Sequence, residues 1–168
     1  MIFVDGSNLY HGLKSETGDT RVDFLRLGRK LAADDELHTT YYYNAPLIEK
    51  LNVQAYRAQQ QFLEALKRTD GVILRLGRMQ LTATGVLVEK GVDVLLAIDM
   101  LRHAYQNDYD TAILVSGDGD FAPLVAAVTG LGKRVKNVAF HSARSDALVD
   151  ICHTFIELTP DFLQDCRP

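Results

Sequence analysis

Ala112-Ile113-Leu114-Val115-Ser116-Gly117-Asp118-Gly119-Asp120-Phe121 runs from four apolar residues directly into two glycines and two aspartates. A short apolar run without polar alternation is the pattern of a strand buried on both faces, which belongs in a parallel sheet covered by helices on each side. On the C-terminal side, Phe121–Leu131 reads as a helix and Arg134–Phe140 as a strand. Ser145–Ile151 then reads as a short helix and Thr154–Leu158 as a last strand before a C-terminal turn. On the N-terminal side, Gly91–Tyr105 is a strongly apolar helix, Arg78–Leu87 a hairpin around Thr84-Gly85, and Val72–Leu76 a strand. Asn52 is placed to cap a helix through Lys67 whose inward face is Ala55, Phe62, Leu63 and Leu66. Leu37–Tyr43 is aromatic and β-branched, hence a strand, broken by Asn44-Ala45-Pro46. Phe24, Leu25, Leu27, Leu31 and Ala32 recur at helical spacing, and Met1–Val4 is the first strand. Strands alternating with helices predict a three-layer α/β/α, Rossmann-like fold with a mostly parallel central sheet. Without repeat or linker, residues 1–168 read as one domain.

Apolar residues are 47% and charged ones 24% of the chain, an ordinary balance for a globular domain. No apolar run approaches the ~20 residues that span a bilayer. Met1-Ile2-Phe3-Val4-Asp5 lacks the basic and long apolar regions of a signal peptide, so the expected location is the cytoplasm. Cys152 and Cys166 form no C-x-x-C pair and read as reduced, incidental thiols. The five histidines have no zinc-ligand spacing. A net charge of −4 does not advertise a nucleic-acid binder. Two local basic groups, Lys133-Arg134 with Lys136 and Arg144, and Lys67-Arg68 with Arg75 and Arg78, are each either phosphate contacts or solvated faces.

The chemistry lies in aspartates at element ends. Asp5 follows the first strand and precedes Gly6, Ser7 and Asn8, where ligands bind in open α/β sheets; Asp5 or Ser7 also suits a helix cap. Asp118 and Asp120 follow the strand quoted above, Asp118 as a turn residue and Asp120 as an N-cap before Phe121. From Asp93, every position at i+3, i+4, i+7, i+8 and i+11 is apolar, namely Leu96, Ala97, Met100, Leu101 and Ala104. That places a carboxylate on the predicted core stripe, where it needs a partner. Asp99 aligns with Val92, Arg102, His103 and Gln106 and reads as solvated. Two aspartates ~4 Å apart repel by about 4 kcal/mol at an effective dielectric of about 20, so a cluster requires a cation. Oxygen-only ligands select Mg²⁺ or Mn²⁺, which would support phosphoester cleavage.

With Phe3-Val4-Asp5-Gly6-Ser7-Asn8-Leu9, Lys90-Gly91-Val92-Asp93 and Ser116-Gly117-Asp118-Gly119-Asp120-Phe121 in that order, the chain resembles the NYN-domain family, LabA-like branch, of the PIN-like nuclease superfamily. The resemblance spans about residues 1 to 158. It implies a PIN-like α/β/α fold and a divalent-metal ribonuclease acting on single-stranded or structured RNA. Asp5, Asp93, Asp118 and Asp120 would be the metal-binding, catalytic acids, and Asn8 would orient water or metal. Ser7, Lys90, Ser116 and Arg144 would contact substrate. The family also holds regulatory members, so a non-catalytic RNA-binding scaffold is the rival reading. A haloacid-dehalogenase-like phosphatase fits less well, because its second acid would fall on Ser7. A Toprim-type site expects a glutamate where Asp5 stands. The resemblance also allows a homodimer, although no apolar stripe readable from the sequence marks its interface.

Overall fold

The computed structural model describes residues 1–168. A six-stranded, wholly parallel sheet runs in the order β3-β2-β1-β6-β7-β8, built from β1 (Ile2–Asp5), β2 (Thr40–Asn44), β3 (Val72–Leu76), β6 (Thr111–Val115), β7 (Arg134–Phe140) and β8 (Thr154–Leu158). The expected three-layer architecture is present. Helices α1 (Gly6–Glu16), α2 (Phe24–Ala32), α3 (Val53–Lys67) and the short α7 (Pro160–Leu163) cover one face. Helices α4 (Val92–Tyr105), α5 (Ala122–Gly130) and α6 (Asp146–Ile151) cover the other. Successive strand residues point to opposite faces, so β1 sends Ile2 and Val4 into the first core and Phe3 into the second. Burial on both faces is why β1 and β6 read as unbroken apolar runs.

The chain winds outward from β1 to β3, crosses back to β6, then winds outward the other way to β8. The winding therefore reverses between neighbours β1 and β6, and a crevice opens beyond their carboxyl ends. Between β3 and α4 the chain forms an antiparallel hairpin, β4 (Arg78–Leu81) with β5 (Leu87–Lys90), outside the main sheet and turning at the expected Thr84-Gly85. Asn52 caps α3 as expected, its side chain accepting the Ala55 N–H at 2.9 Å. The strand expected at Leu37–Tyr43 starts later and includes Asn44, whose backbone pairs in register with Leu76. No helix is long and apolar enough to cross a membrane.

One helix face differs from expectation. The buried residues of α4 are Val92, Leu96, Asp99, Met100 and Ala104, whereas Asp93 is exposed. Asp99, read from the sequence as solvated, is 0% exposed. Its carboxylate accepts from Arg75 Nε at 2.8 Å and Nη2 at 3.3 Å, from the Tyr43 hydroxyl at 3.2 Å, and pairs with Arg102 at 3.1 Å. Two guanidiniums and a phenol compensate the desolvation, which lets the helix turn this acid inward.

Candidate functional site

Asp5 ends β1 and is also the N-cap of α1, its Oδ1 accepting the Asn8 N–H at 3.0 Å. Its Oδ2 accepts from the Ser116 hydroxyl, at the end of β6, at 2.9 Å. Ser116 Oγ in turn accepts the Asp118 N–H at 3.1 Å, and Asn8 Oδ1 accepts the Gly117 N–H at 3.0 Å. Two strand-end loops far apart in sequence are thereby tied into one unit. Gly6 lets the first loop sit tightly against β2, because a Cβ there would lie 2.5 Å from the Tyr42 hydroxyl and 2.6 Å from the Tyr43 carbonyl. Gly117 does the same on the other loop, where a Cβ would collide with the Ala143 carbonyl.

A second tier supports Ser116 from below. Asn137 on β7 is fully buried, and its amide nitrogen donates to the Ser116 carbonyl at 2.8 Å and the Leu114 carbonyl at 3.3 Å. Sequence reading missed this residue. Its signal was an amide followed directly by the apolar run Val138-Ala139-Phe140 on a predicted strand, where a buried polar group needs partners.

The resulting cleft encloses about 530 Å³ and is lined by Asp5, Ser7, Asn8, His11, Glu89, Asp93 and Asp118, with Gly12, Ser15, Ser142 and Ala143 completing its wall. Three of the four predicted aspartates meet here. Asp120 is exposed and lies beside the cleft rather than in its wall; the cap expected of it belongs to Asp118, whose Oδ1 accepts the Asp120 N–H at 2.9 Å. Ser116 is buried beneath the floor and its hydroxyl is spent on Asp5. Lys90 and Arg144 are exposed outside the wall, Arg144 pairing with Asp146 at 3.2 Å. Lys90 stands directly across the hairpin from Arg78. Like charges in that position repel.

Glu89 on β5 is a further acid of the cleft that sequence reading did not assign. Burial raises the Asp5 carboxyl above the ordinary range, with Asp93 and Asp118 adding to the rise, while the Asn8 N–H and Ser116 hydroxyl pull it back. Burial also raises Glu89; the Ser7 hydroxyl and His11 offset this, and Asp5 and Asp93 reinforce it. Asp93 is raised by partial burial and then by Asp118 and Asp120. These acids feel each other's charge, although no three acidic, histidine or cysteine side chains stand close enough to enclose an ion. The donor chemistry still fits a hard divalent cation, since carboxylate and amide oxygens dominate. Mg²⁺ commonly keeps several waters and takes only one or two carboxylates.

The NYN domain model matches residues 1–159. The chain belongs to the NYN domain family. This supports placement within the PIN-like superfamily, with the fold described above. A protein of unknown function from Vibrio parahaemolyticus has a similar crystal structure, with a TM-score of 0.69 and 25% identity over 96% of this chain and 93% of that one. No curated protein matches.

Proposed function

We propose that this NYN domain, residues 1–168, is a divalent-metal-dependent ribonuclease of the LabA-like branch that hydrolyses RNA phosphodiester bonds in the cytoplasm. The observation that carries the reading is the meeting of Asp5, Asp93, Asp118 and Glu89 in one polar cleft at the winding reversal. Asp5, Asp93 and Asp118 would hold Mg²⁺ or Mn²⁺, with Asp120 adding negative charge from the rim. A bound ion would supply charge neutralisation at the phosphate and a lowered pKa for water.

The chain's own groups have separable tasks. Ser116 and Asn8 fix Asp5 and the Gly117 loop, so that the acids are held before substrate arrives. Glu89, at the cleft wall with its carboxyl raised above the ordinary range by partial desolvation, would be a proton acceptor for the attacking water. Ser7 at the cleft wall would donate to a phosphate oxygen. Lys90 with Arg78, and Arg144 next to the wall residue Ala143, would contact neighbouring phosphates; an anion between Lys90 and Arg78 would relieve their repulsion.

Mixed single-stranded and structured RNAs incubated with Mn²⁺, Mg²⁺ or EDTA test this. Cleavage is expected with either metal and none with EDTA, and Asp5→Asn or Asp118→Asn should lower the rate at least ~100-fold, as for loss of a group that stabilises the transition state. Variants that keep full metal-dependent cleavage would overturn the assignment. The looseness of the acid cluster favours a second reading, a regulatory RNA-binding domain; RNA binding without cleavage under any metal would select it.

A further inference from the structure

Three polar side chains of the cleft wall, Ser7, His11 and Ser15, stand four residues apart on α1. That spacing sets them in one row along the helix, roughly 12 Å from first to last at about 1.5 Å per residue. The cleft therefore continues past the acids and along the outer side of α1. His11 reaches back toward the acids, close enough to Glu89 to offset its raised carboxyl. At the far end the row meets Ser142, whose N–H donates to Glu16 at 3.0 Å.

Beside this row lies Tyr10. The chain has seven tyrosines and seven phenylalanines, and only Tyr10 and Tyr105 are exposed. Tyr105 ends α4, whereas the cleft meets that helix at its first turn, through Asp93. Tyr10 is the neighbour of His11, its ring 5.5 Å from the imidazole and nearly perpendicular to it at 78°. Lys14 follows one turn beyond Tyr10 on the same side, exposed and outside every ion pair of the chain. The outward side of α1 thus carries an aromatic ring, an imidazole, an ammonium and two hydroxyls. It carries no free acid, because Glu16, the helix's one carboxylate, is turned to the N–H and hydroxyl of Ser142. In a chain of net charge −4 that is a local exception.

We propose that this side of α1 is a subsite for one unpaired RNA base and its neighbouring phosphate, the base stacked on Tyr10 and the phosphate held by Lys14. The subsite rests on the RNA reading of the cleft and adds which nucleotides that cleft can hold. A stack on an exposed ring is tolerant of sequence, because every base has a π-face. His11 braces the Tyr10 ring edge to face and offers a ring nitrogen to the sugar-phosphate between the stacked base and the acids. Lys14 acts as a point charge one turn further on. Bases within a duplex have their faces covered by their own neighbours, so only single strands and unpaired loop nucleotides can use the ring. The nucleotide beside the scissile bond must therefore be unstacked.

Short single-stranded RNAs, each carrying one 2-aminopurine at a different position, test the subsite by binding. Ca²⁺ replaces Mn²⁺ or Mg²⁺ as a hard cation that takes oxygen ligands. In the wild-type complex, fluorescence should be quenched at the one position where the base stacks on Tyr10. Tyr10→Ala should abolish that quenching and weaken binding about 5- to 150-fold, the worth of one base–aromatic stack. Tyr10→Trp should restore both. Lys14→Gln should keep the quenching and flatten the slope of log K against log[salt] by about 0.7, the share of one phosphate contact in a single strand. Circular dichroism should match wild type in all three variants, since both side chains face water. A wild-type chain that binds no RNA overturns the subsite. Affinity and quenching unchanged in Tyr10→Ala, or an unchanged salt slope in Lys14→Gln, overturns it equally; Mn²⁺-dependent cleavage by the wild type would then leave the ribonuclease reading standing alone. Quenching lost in Tyr10→Ala, with no cleavage under Mn²⁺, keeps the subsite and discards the ribonuclease.

Discussion

Asp5 occupies a position where three demands coincide: it caps α1, it receives the Ser116 hydroxyl, and it faces the cleft. Its folded pKa lies above the ordinary carboxyl value of 3.8, chiefly through burial. The folded chain thus binds more protons than the unfolded chain in the interval between those two values. The resulting stability is complete below the unfolded pKa and is lost as pH rises through the folded one. In EDTA, the Asp5 contribution to the melting temperature is therefore expected to fall as pH climbs out of the carboxyl range and then level off. The lowered Asp19, Asp35 and Glu64 carboxyls set the opposite trend. Asp5→Asn keeps an oxygen for the Asn8 N–H and removes the titrating charge, while its amide nitrogen reverses the bond so that Ser116 Oγ becomes the acceptor. Above that interval it should melt about 2–4 °C higher than wild type, if about 1 kcal/mol is recovered. Calorimetry across the acid-to-neutral range checks this, and a variant that is less stable than wild type at neutral pH contradicts it.

At the scale of elements, α4 shows what local pattern reveals and what it hides. Arg75 sits 24 residues before Asp99, on the edge strand β3, with its side chain partly in water. Replacing it by Met leaves a buried carboxylate with Arg102 and Tyr43 only, and should cost about 2–4 kcal/mol, near the range for breaking a buried pair. Chemical denaturation measures this loss, and Asp99→Leu in the same chain should recover much of it. A reader of the sequence sees an acid aligned with Arg102 and His103 and infers solvent, because the ion pair that buries Asp99 comes from another element. The apolar strands were legible for the opposite reason. Ala112–Val115 and Ile2–Val4 carry their own instruction to be buried on both faces; Asp5 follows one directly and Asp118 the other after Ser116-Gly117. Glu89 was hidden because Leu87-Val88-Glu89-Lys90 does not disclose which face of the hairpin meets the cleft. The cap fell to Asp118 rather than Asp120 because a short turn, Gly119–Phe121, precedes α5.

For the whole molecule, the two windings of the sheet bring acids from β1, β5, α4 and the β6 loop into one cleft, at a cost in mutual repulsion. Anything that binds the folded cleft and not the unfolded chain stabilises the entire domain through linkage, by about 2.7 kcal/mol at a hundred times its Kd. Mn²⁺ or Mg²⁺ in place of EDTA is thus expected to raise the melting temperature by about 5–10 °C near neutral pH, at about 2–4 °C per kcal/mol for a chain of this size. The shift should shrink as pH falls, because protons compete for the same raised carboxyls. Asp5→Asn and Asp118→Asn should abolish most of it while melting cooperatively on their own. Since repulsion is what the cation relieves, Asp5→Asn, which gains stability in EDTA, should lose the response to metal. A wild-type chain whose melting is indifferent to both ions would remove the metal from the proposed function, whereas a full shift without RNA cleavage would leave a metal-stabilised binding domain.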